Sequence, residues 1–123
     1  MAYILVIDDD FQFRTFMNIM LTRAGHEVVA VEDGYVGIAL CLDHLPDLVV
    51  TNMVMSNKTG LGTIIDLKNE YPHLKIIAIS GGGYLQGSED YLDLAAKHGA
   101  DHCFSKPFRA NELLSTVGKM VSN

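Results

Sequence analysis

The chain has 123 residues, enough for one domain, residues 1–123, to bury a core without disulfide or metal staples. Hydrophobic residues make up 49% and charged residues 20%, the balance of a soluble globular protein, and no apolar run is long enough to span a membrane. The net charge of −6, with nine basic residues scattered along the chain, argues against a nucleic-acid surface, which needs a basic patch.

Strand-like and helix-like runs alternate from end to end. The first strand is expected at Tyr3–Asp8 and leads into Asp8-Asp9-Asp10. A helix at Phe11–Ala24 follows, with Phe13, Phe16, Met17, Met20 and Ala24 on one stripe and Gly25 as its stop. Next come a strand at Glu27–Val31 and a helix at Tyr35–His44, which ends before Pro46. The third strand, Leu48–Asn52, precedes a helix at Leu61–Glu70 that ends before Pro72. The fourth strand, Lys75–Ser80, runs into Gly81-Gly82-Gly83, a loop expected to be mobile that lacks the spacing of a dinucleotide fingerprint. A helix at Glu89–His98, opened by Ser88 and closed by Gly99, leads to a strand at His102–Ser105 and a last helix at Ala110–Val121. The strands are rich in Val and Ile and almost wholly apolar, as strands covered on both faces are. The pattern is (βα)5, an α/β doubly wound parallel sheet with helices on both faces.

In a parallel sheet the residues just past the strand ends gather along one edge. Here those residues are Asp8, Asp9 and Asp10 after strand 1, Asn52 at the end of strand 3, Ser80 at the end of strand 4, and Lys106-Pro107 after strand 5. Carboxylates, a hydroxyl and an ammonium on one edge suit a divalent metal and a phosphoryl group. The third strand should supply a nucleophilic carboxylate; it supplies the amide of Asn52. Asp10 is better placed as the cap of the first helix than as a ligand.

These motifs, in this order and spacing, resemble the receiver domain of bacterial response regulators, the fold of the chemotaxis regulator, over about Tyr3 to Val121. Ile4-Leu5-Val6-Ile7-Asp8-Asp9 is similar to the strand 1 motif, with Asp8 and Asp9 as the acidic pair. Pro46-Asp47-Leu48-Val49-Val50-Thr51-Asn52 is similar to the strand 3 motif, which normally ends in the phosphoacceptor aspartate. Gly60, Ser80 at the hydroxyl switch position, Gly99-Ala100-Asp101 and Lys106-Pro107-Phe108 complete the resemblance. It implies a flavodoxin-like sheet of order 2-1-3-4-5 with its site at the switch point between strands 1 and 3. It implies an Mg2+ site at Asp9, residue 52 and the Val54 carbonyl, with Asp8 acting mainly through water. It also implies that Lys106 binds a phosphoryl oxygen and that the Ser80 hydroxyl reports phosphorylation.

The sequence departs from the family pattern at four places. Asn52 stands at the acceptor position, and a delocalised amide cannot attack phosphorus as a carboxylate does. Ser56 stands where the loop often has proline, and Thr59 where it often has an acidic or amide residue. Cys103 stands three before the lysine, where many members carry an aromatic switch. The implied Mg2+ site should therefore be weak, having lost one formal charge.

The leading expectation is a receiver-like, non-enzymatic module of two-component signalling that takes no phosphate on residue 52 and works through protein contacts, with a histidine kinase or another signalling protein as partner. An alternative is a conventional receiver carrying an Asp-to-Asn substitution. A third reading is a small haloacid-dehalogenase-like phosphatase with Asp8 as nucleophile and Asp10 as acid/base. Against it, Gln12 stands where that motif wants Thr or Val, and after Lys106 the only acid is Glu112. On the fourth helix Leu92, Ala95, Ala96 and Gly99 form the expected inward stripe. Tyr91, Leu94 and His98 form a flank too apolar for a purely solvated face, and the resemblance implies that this helix, strand 5 and helix 5 make a partner or homodimer surface. Cys41 and Cys103 have no C-x-x-C spacing and read as buried, inert thiols in a reducing cytosol. The N-terminus carries neither the basic residues nor the cleavage site of a secretory signal, which fits a cytoplasmic location.

Overall fold

Runs of Val, Ile and Leu give five parallel strands: β1 Tyr3–Ile7, β2 Glu27–Val31, β3 Leu48–Asn52, β4 Lys75–Ser80 and β5 His102–Ser105. The structure, a computed structural model, describes residues 1–81 and 88–122. Gly82 and Gly83 of the expected glycine loop lie outside the described residues. The sheet order is β2-β1-β3-β4-β5, as expected. The helices between the strands are α1 Phe11–Arg23, α2 Gly34–Asp43, α3 Gly60–Glu70, α4 Ser88–Lys97 and α5 Ala110–Val121. Boundaries differ from the sequence reading by a residue at several ends. Asp8 lies just beyond β1, Ala24 caps α1, and α2 and α3 each begin at a glycine.

Alternation along each central strand divides the interior in two. Ile4, Val6, Leu48, Val50, Ile77 and Ile79 pack against Met17 and Leu21 of α1 and Leu113 and Val117 of α5. Leu5, Ile7, Val49, Ile76 and Ala78 pack against Cys41 of α2, Ile64 and Leu67 of α3 and Ala95 of α4. Each fully buried Leu, Ile or Val contributes about 1.5–3 kcal/mol. Among the described residues, three helices start on side-chain caps. Asp10 accepts from Gln12 N at 3.0 Å, Asp33 from Val36 N at 2.9 Å and Thr59 from Gly62 N at 3.0 Å. Asp10 is thus a cap, as its position suggested.

Two stripes need correction. On α1, Phe13 is half-buried and Met17 and Met20 are buried, but Phe16 and Ala24 are exposed, and Leu21 is buried in their stead. The buried arc of α1 centres on Met17 and Leu21, which puts Phe16 on the rim of an apolar groove lined also by Ile19, Met20, Arg23 and Leu114 of α5. On α4, Ala95 is buried and Leu92 half-buried, whereas Ala96 is exposed. That helix presents a narrower apolar face to the sheet than the periodicity implied.

The chain turns to opposite sides of β1 on its way to β2 and β3, which leaves a crevice at the carboxyl ends of β1 and β3. Gly60 shapes one wall of it. A Cβ there would sit 2.0 Å from the Asn52 carbonyl oxygen and 2.6 Å from Met53 Cα, so only glycine lets α3 start this close to the end of β3. The Gly60 N–H donates to the Met53 carbonyl at 2.8 Å.

Candidate functional site

Asp8 is held at the crevice by the ladder on one side and α1 on the other. Its N–H donates to the Val31 carbonyl at 3.0 Å, and its carbonyl accepts from Arg14 Nη1 at 2.7 Å. Its carboxylate is buried, 1% exposed. Oδ1 accepts from Asp10 N at 2.9 Å, and Oδ2 lies 3.4 Å from Lys106 Nζ. Burial pushes the Asp8 carboxyl above the usual carboxylate range; the Asp10 N–H and the Lys106 ammonium pull it back, and Asp9 adds a smaller upward push.

Lys106 follows β5, and its N–H donates to the Ser80 carbonyl at 2.9 Å, which ties the ends of β4 and β5 together. The Lys106-Pro107 peptide is cis. Its Nζ stands 3.8 Å from the centroid of the Phe13 ring, and Phe108 meets Phe13 edge-on with centroids 6.1 Å apart. Ser80 is buried at the end of β4, opposite Ser105 in the register.

Asn52 closes β3 and is 8% exposed. Its Nδ2 donates to the Val54 carbonyl at 3.0 Å. Its Oδ1 is buried and has no hydrogen-bond partner among the described residues. Asp9 is exposed, and its Oδ2 accepts from Ser56 N at 3.2 Å. Beyond Ser56 the loop is fastened by Asn57 Nδ2, which donates to Asp33 Oδ2 at 3.2 Å. Lys58 pairs with Asp66 at 2.7 Å and lies over the Tyr35 ring. The Val36 N–H and the Asn57 amide hold the Asp33 carboxyl below its usual range.

Donor chemistry and arrangement disagree on a divalent cation. Asp8, Asp9 and the oxygens of Asn52 and Val54 are the hard ligands Mg2+ takes, and the orphaned Asn52 Oδ1 invites a cation or a donor. Yet the Val54 carbonyl is committed to Asn52 Nδ2, and the Asp9 carboxylate to the Ser56 N–H. Among the described residues no three His, Cys, Asp or Glu side chains gather as a metal set. As arranged, these groups are not a ready cation site.

The expected residues are thus joined as Asp8 with Lys106, Asn52 with Val54, and Lys106 with the Ser80 backbone. Cys103 is half-buried rather than buried, and its Sγ sits 3.6 Å from the Leu92 carbonyl of α4. Burial, then nearby Asp93, raises the thiol above its ordinary range, so it is a poor thiolate. Cys41 is buried, with its thiol pushed up to about 11. Tyr91 and Leu94 are exposed on α4, and His98 is exposed in the turn just past its end. Sequence reasoning missed Arg14, the Phe13 ring over Lys106, the Ser56 N–H on Asp9, and the Asn57–Asp33 tie. Only Arg14 left a signal, a basic residue in the first turn after an acidic strand end.

A five-stranded doubly wound sheet with an acidic pair and a lysine at its carboxyl edge is the architecture of phosphate-signalling receivers. A family model for the response regulator receiver domain matches residues 4–118, and the chain belongs to that family. It is 34% identical to the DNA-binding transcriptional regulator NtrC of Azospirillum brasilense over 99% of this chain and 24% of that protein. It is 30% identical to the transcriptional regulatory protein CpxR of Klebsiella pneumoniae over 95% of this chain and 48% of that one. The chain therefore spans less than half the length of these two relatives. Among solved structures, the receiver domain of NtrX from Brucella abortus superposes with a TM-score of 0.88 at 28% identity, covering 96% of this chain and 97% of that one. TrrA from Thermotoga maritima, in complex with Mg(2+)-BeF, superposes with a TM-score of 0.84 at 26% identity, covering 98% and 99%. Receiver domains are the signalling modules of two-component systems and interact with histidine kinases and other signalling proteins. Among the described residues no helix is long and apolar enough to cross a membrane.

Proposed function

We propose that residues 1–123 form an atypical receiver domain that takes no phosphate on residue 52 and signals through protein contacts in the cytoplasm. One observation carries this reading: the side chain that closes β3 at the crevice is an amide, with its nitrogen bonded to the Val54 carbonyl. A carboxylate there would offer a lone pair to phosphorus; the Asn52 amide delocalises its own into the carbonyl.

In this reading Asn52 occupies the phosphoacceptor position. Lys106 keeps the position that would grip a phosphoryl oxygen, and its present partner is Asp8. Ser80 and Cys103 occupy the switch positions. Mg2+ binds weakly, through Asp9, Asn52 Oδ1 and the Val54 carbonyl, with Asp8 acting through water. Binding must break the Asn52–Val54 hydrogen bond and lacks the charge of a third carboxylate. Output runs through Tyr91 and Leu94 of α4 and His98 just past its end, with β5 and α5, toward a signalling protein or a second copy. The apolar side chains of Tyr91 and Leu94 are 42% and 38% exposed, more than packing on the sheet requires.

Intact-mass measurement after treatment with acetyl phosphate and Mg2+ tests the reading. The unaltered chain is expected to keep its mass, and Asn52→Asp to gain one phosphate. A phosphate on the unaltered chain, mapped to any crevice residue, would overturn it.

A further inference from the structure

Two acceptors at the crevice, the Val54 carbonyl and Asp9 Oδ2, are oxygens that a divalent cation between β1 and the β3–α3 loop would draw together. In this chain each already holds an N–H hydrogen. Asn52 Nδ2 donates to Val54 O at 3.0 Å, and Ser56 N donates to Asp9 Oδ2 at 3.2 Å. Both donors depend on residue identity. An aspartate at 52 has no N–H to give, and a proline at 56 has none either. We propose that these two N–H groups replace the divalent cation in holding the start of the β3–α3 loop, so that the loop keeps its shape whether or not Mg2+ is present.

The orientation of the amide follows from its neighbours. With Nδ2 toward Val54 the contact is attractive. With the amide turned over, two carbonyl oxygens would face each other, an arrangement that needs a cation or a donor between them. Mg2+ and the internal hydrogen bond therefore compete for one carbonyl. The rest of the loop is fixed independently by Asn57 on Asp33, by Gly60 N on the Met53 carbonyl, and by the Lys58–Asp66 pair. A loop held at both ends by the chain itself has little shape left for a cation to impose.

This inference extends the proposed reading of residue 52, and amide hydrogen exchange across residues 53–59 tests it separately. Exchange is measured with and without millimolar MgCl2, with NaCl added to match ionic strength. The unaltered chain should exchange alike in both. Asn52→Asp, which sets a carboxylate against the Val54 carbonyl, should exchange roughly fivefold faster without Mg2+, the worth of one ordinary hydrogen bond. Mg2+ should return it to the rate of the unaltered chain. Ser56→Pro in the same background should enlarge the Mg2+ response. A several-fold slowing of the unaltered chain by Mg2+, or an Asn52→Asp variant that matches it without Mg2+, overturns the proposal. The Asn52 side-chain NH2 resonances give a reading that needs no variant. They should be protected from solvent exchange, and rates of an exposed asparagine would also overturn it. Phosphorylation of the unaltered chain would defeat the proposed function alone, whereas an Mg2+-ordered loop would defeat this inference alone.

Discussion

Lys106 Nζ lies between two partners of different kinds: the face of the Phe13 ring, 3.8 Å from its centroid, and Asp8 Oδ2 at 3.4 Å. Its position makes it the counter-ion of a buried carboxylate, steadied by an aromatic face from α1.

Removing that ammonium should expose the dependence. Lys106→Ala is expected to lower stability by about 1–3 kcal/mol at neutral pH, because the Asp8 carboxylate stays buried with one partner fewer. The double variant Asp8→Asn/Lys106→Ala should lose less than the sum of the two single changes. Urea melts of the four proteins measure this; strict additivity would show that the pair is not coupled.

Asp8 also sets a pH dependence. Its folded-state pKa is raised above 3.8, chiefly by burial, so the folded protein holds this proton more tightly than the unfolded chain does. The stabilisation is therefore full at low pH and is lost as pH rises through the raised value. The melting temperature of Asp8→Asn minus that of the unaltered chain should grow as pH climbs from the ordinary carboxylate value through that window. Taking the difference cancels groups of opposite sign such as Asp33, whose carboxyl is held low. A flat difference curve would contradict the burial argument.

Gly60 gives a steric prediction. Its added Cβ in Gly60→Ala meets backbone atoms, which cannot rotate aside, at 2.0 and 2.6 Å. A loss of about 1–3 kcal/mol is expected. The same change at Gly118, where an added Cβ meets nothing within 4 Å beyond its own helix backbone, should be neutral or mildly stabilising, since alanine suits a helix better. Equal melting temperatures for Gly60→Ala and the unaltered chain would mean that the α3 start can move away from β3.

The α4 flank is tested by Leu94→Glu. Leu94 is 38% exposed, so folding stability should shift by no more than about 0.5 kcal/mol. Self-association by analytical ultracentrifugation, or capture of a cognate kinase, should fall. Unchanged association on both measures would show the flank to be inert.

All ten elements and the strand-end residues were legible because they rest on local signals: Val/Ile runs, glycine and proline stops, and acids that follow a strand; the sheet order came from the resemblance to receivers, since no local signal carries it. Asn52 was legible too, as an amide where a carboxylate belonged. Its bond to Val54 was not, since nothing in a sequence says which way an amide turns. Nor was the Asn57–Asp33 tie, which joins loops 24 positions apart, beyond any helical or strand period. Phe13 read as core by its spacing, yet its ring also serves Lys106. Phe16 and Ala24 matched the α1 stripe by periodicity but fell outside the contact, because spacing gives the direction of a face and not the width of what it meets.

The alternation that sends Ile4 to one side of β1 and Leu5 to the other makes two interiors with a single wall in common. Damage on one side cannot be repaired by repacking on the other, and it cannot be worsened there either. Met17→Ala, beneath α1, and Ile64→Ala, beneath α3, should therefore cost as much together as they do apart. The surface carried by α1 and α5 is free to drift toward a new partner while the opposite layer, with the loop that frames Asn52, stays as it is.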